Sequence, residues 1–192
     1  MTIPRQIAIL AGGDSTRMGR DKAAIRYDGE PLLVRIARRA TTAADEVCVV
    51  GRERPEDWPL AHVPFVPDRF PDRGPLEGLR CALRHFRAPT ALVACDMPLL
   101  TSEALDWLLE THRSWAEAST GSSQSHGLIV RRDEHPEPLF SVYHPSVLDL
   151  VDQRLDDRQY AMYGLIAAGD FVNRTVPDRF ADQLRNVNTP EE

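Results

Sequence analysis

The sequence alternates short apolar segments with segments of helical periodicity, and this alternation restricts the fold more than any other feature. Apolar runs that predict strands lie at Gln6–Leu10, Glu46–Val50 and Thr90–Ala94, and a shorter run interrupted by prolines lies at Val63–Val66. Strands that alternate with helices form a mostly parallel sheet with helices on both faces. We therefore predict an α/β fold in which residues 1–192 form a single domain, a three-layer sandwich.

The second half of the chain continues this pattern. Two further strands are predicted at Gly127–Val130 and Leu139–Tyr143, followed by a helix at Pro145–Leu155 and a late strand at Phe171–Val176. The segment Pro67–Gly78 is rich in Asp, Pro and Gly, which predicts a loop with a helix after it. Thr101 or Ser102 is suited to cap the helix that follows the Thr90–Ala94 strand. The arginine-rich stretch Arg35–Arg39 is interpreted as a solvated helix face.

Composition and charge exclude several classes of protein. The net charge of −6 gives no basic face for general nucleic-acid binding. No apolar run reaches the roughly 20 residues that span a bilayer, so we expect no membrane segment. The first residues have no signal-peptide pattern. The three cysteines form no CxxC pair, and their number is odd, which is typical of reduced thiols. We therefore expect a cytoplasmic protein.

Glycine or aspartate lies two residues after the end of three of the predicted strands. Gly12 and Gly13 follow the first strand, Asp68 follows the strand at Val63–Val66, and Asp96 follows Thr90–Ala94. In sheets of this kind, ligands bind at the carboxyl ends of the strands. The three strand ends therefore predict one binding site at a common edge of the sheet.

The loop after the first strand has the residues of an anion-binding site. Paired glycines allow backbone N–H groups to approach a ligand without Cβ clashes, and Arg17 and Lys22 add positive charge. Lys22 is the only lysine among 23 Lys and Arg residues. The chain uses arginine at every other basic position, which indicates that position 22 has a specific need for lysine. A compact ammonium group meets a phosphate as a point charge, which the planar arginine fork cannot imitate. The glycine spacing fits neither a dinucleotide fingerprint nor a P-loop.

The same segment, LAGGDSTRMGRDKA, resembles the signature of the molybdenum cofactor guanylyltransferase family, with LAGG, then SxRMG, then DKA. Four later segments resemble further motifs of that family in the same order. They are Gly74–Gly78 (GPLxG), Cys95–Pro98 (CDxP), His135–Phe140 (HPxPL) and Asn186–Glu191 (NxNTPE). The resemblance covers nearly the whole chain, and it implies a Rossmann-like sandwich.

The resemblance implies an enzyme, a nucleotidyltransferase that moves GMP from GTP to the terminal phosphate of molybdopterin and releases pyrophosphate. It implies three catalytic residues, Arg17, Lys22 and Asp96. It implies nucleotide binding by Leu10, Ala11, Gly12, Gly13, Lys22, Asp68 and Asp96. Asp96 would also hold Mg²⁺, since a carboxylate at a strand end suits an ion that keeps water and phosphate ligands. On the molybdopterin side, the resemblance implies Gly74, Gly78, Asn186 and Asn188.

Several alternatives remain open at this point. Family members often have an asparagine after the second strand, where this chain has Gly51, so the base is less certain than the reaction. A molybdopterin cytidylyltransferase and a sugar-phosphate nucleotidyltransferase are the nearest alternatives. A nucleotide-binding escort of molybdoenzymes without turnover is another, and Lys22 and Asp96 argue against it. We expect transient contact with cofactor-handling proteins or molybdoenzymes. The oligomeric state and the receiving molybdoenzyme do not follow from the sequence.

Overall fold

The predicted sheet is present in the computed structural model, which describes residues 4–12, 25–119 and 125–186. In chain order, the described strands are β1 (Gln6–Leu10), β2 (Arg26–Tyr27), β3 (Glu30–Pro31), β4 (Glu46–Val50), β5 (Phe65–Val66), β6 (Thr90–Ala94), β7 (Gly127–Arg132), β8 (His135–Pro136), β9 (Phe140–Tyr143) and β10 (Val172–Thr175). The described α-helices are α1 (Leu32–Ala43), α2 (Gly74–Phe86), α3 (Ser102–Ala118), α4 (Leu148–Asp156), α5 (Met162–Ala168) and α6 (Asp178–Ala181). None of these helices is both long and apolar enough to cross a membrane.

The main sheet places β1 at its centre. Its strand order is β10-β7-β9-β6-β1-β4-β5, with β8 paired to β7, while β2 and β3 form a separate hairpin. β1 runs parallel to both β4 and β6, and β5 continues the parallel arrangement beside β4. β9 is antiparallel to both β6 and β7, so β6 and β7 share one direction. The carboxyl ends of β1, β4, β5, β6 and β7 therefore lie along one edge.

Burial on both faces of the sheet explains why β1 is an unbroken apolar run. Alternate side chains of a strand point to opposite faces. Ile7 and Ile9 pack into a core with α1 and α3, whereas Ala8 and Leu10 pack into a second core with α2 and α4. The sandwich therefore has three layers, which confirms the predicted α/β architecture with a mostly parallel sheet and helices on both faces.

The structure corrects several predicted elements. GPLEG is not the end of a loop but the first turn of α2, which a 3₁₀ turn at Pro71–Arg73 precedes. Proline suits a first helical turn, and Gly74 supplies a φ of 64° that joins the two helical segments. The strand expected at Val63–Val66 is reduced to Phe65–Val66. α5 was not predicted, because its seven residues have neither a polar capping side chain nor an acidic first turn.

Of two smaller expectations, one is confirmed and the other is wrong. The cysteines form no disulfide, as their number predicted, and Cys48 and Cys95 are buried. The Arg35–Arg39 stretch is not a uniformly solvated face. Arg38 is exposed, but Arg35 and Arg39 are partly buried, because both donate hydrogen bonds to backbone carbonyls of the loop that follows β6.

Candidate active site

Two glycines bring the ends of β1 and β4 into direct backbone contact. An ideal Cβ atom on Gly12 would lie 2.7 Å from the carbonyl oxygen of Gly51. One on Gly51, where φ is 94°, would lie 2.7 Å from both the N and the Cα atom of Gly12. Backbone hydrogen bonds hold the neighbouring chain segments together beside this contact. Ala11 N donates to Val50 O at 2.9 Å, and Gly51 N donates to Val66 O at 3.0 Å. Glycine at position 51 therefore has a steric reason in this chain.

The carboxylate of Asp68 lies over this glycine pair. Its Oδ2 atom is 3.1 Å from the position that a Cβ atom of Gly12 would take and 3.3 Å from the one that a Cβ atom of Gly51 would take. Its Oδ1 atom is buried and has no hydrogen-bond partner among the described residues. A buried acceptor without a donor is costly, so this atom is suited to receive a donor or a cation from a ligand.

The surroundings of Asp68 hold its pKa high. Burial is the largest cause, the nearby Glu77 carboxylate adds to it, and Arg80 acts in the opposite direction. Together they raise the pKa of Asp68 to about 6. Glu77 is fully buried and accepts a hydrogen bond of 2.6 Å from Arg80, which also reaches Asp152 on α4 at 3.3 Å. The Glu77–Arg80 pair was not predicted, because the residues that begin α2 have the composition of a loop.

Asp96 lies on the other side of β1, in the turn between β6 and α3. The turn is tied to the sheet by Cys95 N, which donates to Leu10 O at 3.2 Å. The cap of α3 is Thr101, whose hydroxyl oxygen accepts from Ala104 N at 3.3 Å. Thr101 is therefore the cap, one of the two residues that the sequence suggested, and Asp96 is not needed for this role.

The structure brings some predicted site residues together and leaves others apart. Leu10, Ala11, Gly12, Asp68 and Asp96 lie at the end of β1 or beside it, on the predicted edge. Gly74 begins α2, with open space where a Cβ atom would lie. Gly78 is buried within α2, where an added Cβ atom would lie 2.1 Å from Leu10 Cδ1, so a larger residue there would displace the Leu10 side chain. The remaining site residues predicted from sequence, Gly13, Arg17, Lys22 and Asn188, lie outside the described residues.

Asn186 lies apart from the glycine pair. It lines a cavity of about 440 Å³ beside the β7–β8 hairpin, together with Arg132, His135, Glu137 and Tyr163. Because β7 runs in the same direction as β6, this cavity opens at the edge that carries Asp96. β9 and β6 separate it from β1. The edge thus offers two regions for ligands, one on each side of Asp96.

Glycine backbone and two aspartates at the carboxyl edge of a largely parallel sheet are typical of the α/β proteins that bind nucleotides. The chain belongs to the family of the MobA-like NTP transferase domain, whose model matches residues 7–172. A relative from Natronomonas pharaonis, a probable molybdenum cofactor guanylyltransferase, is 37% identical over 200 residues, which cover 96% of this chain and 92% of the relative.

Solved structures share the fold. Molybdopterin-guanine dinucleotide biosynthesis protein A from Archaeoglobus fulgidus superposes with a TM-score of 0.78 at 24% identity, over 97% of this chain and 93% of that chain. A manganese complex of a Mycobacterium tuberculosis protein superposes with a TM-score of 0.59 at 16% identity, over 92% of this chain and 89% of that chain. These likenesses confirm the predicted α/β fold.

The high pKa of Asp68 predicts that its ionised carboxylate lowers the free energy of unfolding. An amide in its place carries no charge and avoids this loss. The folded-state pKa of about 6 exceeds the ordinary value of 3.8, so the folded state binds the proton more tightly and loses stability as pH rises through this interval. Allowing for solvent screening, we expect Asp68→Asn to raise the free energy of unfolding by about 1 kcal/mol at pH 8. That corresponds to about 2–4 °C in Tm.

The measurement is thermal unfolding without ligand at pH 5 and pH 8, with the exposed Asp157→Asn as control. The gain for Asp68→Asn should be larger at pH 8 than at pH 5, and the control should show no such difference. A loss of stability in Asp68→Asn at pH 8 would contradict this electrostatic account of the site.

Proposed function

We propose that this protein transfers GMP from GTP to the terminal phosphate of molybdopterin and releases pyrophosphate, which makes a molybdopterin guanine dinucleotide. The observation that carries the proposal is the pair of carboxylates at the end of β1, with Asp68 over the Gly12–Gly51 contact and Asp96 in the turn after the neighbouring strand β6. Family membership and relatives named as guanylyltransferases support the same reaction.

The triphosphate of GTP would bind at the end of β1. The Cβ side of Gly12 is filled by the Gly51 backbone and the Asp68 carboxylate, so a phosphate would approach the Gly12 backbone from its other side. In the proposal, Leu10 and Ala11 support this backbone, and Gly13 extends it. Arg17 and Lys22 follow within the same segment of sequence and would neutralise phosphate charge. Asp68 would accept a hydrogen bond from the nucleotide through the buried Oδ1 atom that has no donor among the described residues.

Asp96 would hold a divalent ion, which we propose is Mg²⁺. The donor set fits such an ion, because Mg²⁺ prefers oxygen ligands and is commonly bound by one or two carboxylates together with substrate phosphates. When bound, the ion offsets the negative charge that develops on the phosphate oxygens during transfer.

The proposed transfer requires no general base from the chain. The attacking group is a phosphate monoester oxygen, which is already anionic near neutral pH, so no side chain has to remove a proton. A bond forms between this oxygen and the α-phosphorus of GTP, and the bond from that phosphorus to the β-phosphate oxygen breaks. Pyrophosphate leaves with the electron pair. The residues named above therefore act by alignment and charge neutralisation.

Molybdopterin would bind on the other side of Asp96. Asn186, in the cavity beside the β7–β8 hairpin, and Asn188 are the proposed contacts there. Gly74 offers open space at the first turn of α2, on the side of β1 and β4, so it would contact molybdopterin only if the ligand extends past Asp96. Gly78 would act indirectly, by allowing α2 to pack on Leu10. Transient contact with cofactor-handling proteins or molybdoenzymes, and a cytoplasmic location, belong to the same proposal.

The nucleotide base is tested by ligand-dependent stability. A ligand that binds only the folded state and is present at about 100 times its Kd stabilises the protein by about 2.7 kcal/mol. We expect GTP to raise Tm more than CTP, UTP or ATP, and Mg²⁺ to increase the shift. Asp96→Asn should lose the part of the shift that depends on Mg²⁺. A larger shift with CTP would favour a cytidylyltransferase, and equal shifts with all four would remove the guanine assignment.

The role of Lys22 is tested by replacing it with arginine. A planar, longer fork would displace the triphosphate from the glycine backbone, so Lys22→Arg should lower kcat/KM at least about tenfold, which is about 1.4 kcal/mol of transition-state binding. Steady-state kinetics and the Tm without ligand give the two readouts, with Lys22→Ala for comparison. Full activity of Lys22→Arg would refute the phosphate role, and a collapse of the ligand-free Tm would make Lys22 structural.

A further inference from the structure

Two arginines of α1 hold the outer side of the turn that carries Asp96. Arg35 donates from Nε to the carbonyl oxygen of Pro98 at 3.1 Å, and Arg39 donates from Nη1 to the same oxygen at 2.8 Å. Arg39 also donates to the carbonyl oxygen of Leu100. Both acceptors lie between Asp96 and the beginning of α3, so the two side chains bind the backbone that leads away from the carboxylate.

The position of these side chains follows from the helix. Residues four apart lie on the same side of an α-helix, so Arg35 and Arg39 project next to each other. The apolar stripe of α1 faces the sheet, and α1 packs against α3, which brings the β6–α3 turn beside the two guanidinium groups. Arg38, which lies between them in sequence, points away and pairs with Glu30 at 3.1 Å.

This arrangement places two like charges together in a partly buried position. Burial and the neighbouring Arg35 lower the pKa of Arg39, while Glu30 acts in the opposite direction. Such a pair is unfavourable unless its donors are satisfied. The carbonyl oxygens of Pro98 and Leu100 satisfy them, and hydrogen bonds from charged donors are stronger than neutral ones.

Arg35 also contacts the β2–β3 hairpin, which directly precedes the first residue of α1. Its guanidinium carbon lies 5.1 Å from the centroid of the Tyr27 ring, and its Nη2 lies 3.7 Å from Asp28 Oδ2. The hairpin begins four residues after Lys22 in the sequence. Arg35 therefore contacts both the turn that bears Asp96 and the hairpin that follows the proposed phosphate-binding segment in sequence.

We propose that Arg39, together with Arg35, is a positioning residue that fixes the backbone of the Asp96 turn through the carbonyls of Pro98 and Leu100. The inference rests on the proposed function. The beginning of the turn is fixed by the bond from Cys95 N to Leu10 O, and its end is also held by Gln183, whose side-chain oxygen accepts from Thr101 N at 3.0 Å. With both sides held, the carboxylate keeps its place without reorganisation during transfer, where small displacements are costly.

The test compares Arg39→Met, Arg39→Lys and the matched control Arg38→Met, which makes the same change one residue away on an exposed side chain. Rates are measured at temperatures where circular dichroism shows each variant folded. Arg39→Met should lower kcat by about tenfold or more. It should also raise the Mg²⁺ concentration for half-maximal rate, while KM for GTP changes little. Arg39→Lys keeps one donor and should recover part of kcat, and Arg38→Met should match the wild type.

The outcomes separate the inference from the function on which it rests. An Arg39→Met variant with lower Tm but unchanged kcat and Mg²⁺ dependence would overturn the positioning role alone. If Arg39→Met does not fold, Arg35→Met carries the same expectation through its own bond to Pro98, and an unchanged kcat there would overturn it equally. A wild type that forms no dinucleotide from any nucleotide would overturn the proposed function, and the inference with it.

Discussion

The close approach of the Gly12 and Gly51 backbones is the constraint on which the site depends. It allows β1 and β4 to end side by side without side chains between them, and it leaves room for the Asp68 carboxylate above. Any Cβ atom at either position would meet backbone within 3 Å, and backbone cannot move aside as a flexible side chain can. The shape of the edge at which we propose that the ligand binds therefore depends on two residues that have no side chain.

The sequence predicted the parts of the structure that local signals determine. The central strands are continuous apolar runs because both faces of the sheet are covered, and Gly12, Asp68 and Asp96 follow strand ends that the parallel arrangement brings to one edge. Thr101 has the residue type that helix capping requires, and the structure confirms it as the cap. These features depend on periodicity and on short motifs, which a single sequence contains.

The remaining features depend on contacts between distant segments. Helical spacing places Arg35 and Arg39 on one side of α1 and Arg38 on another, but the carbonyl acceptors of the first two lie about 60 residues away in the chain, where no local pattern reveals them. The antiparallel direction of β9 follows from how the second half returns to β6, not from its own residues. The GPLEG segment has the composition of a loop, yet a glycine with positive φ and a proline in the first turn allow a helix to begin there.

The central claim is that GMP passes from GTP to an acceptor phosphate at this edge, and label transfer tests it most directly. GTP labelled with ³²P at the α-phosphate is incubated with the protein, Mg²⁺ and molybdopterin, and both dinucleotide and pyrophosphate are quantified. The account predicts label in the dinucleotide in equal amounts to pyrophosphate, and none of either product with Asp96→Asn over the same time. Label that remains in GTP, or that appears only as free GMP, would contradict it.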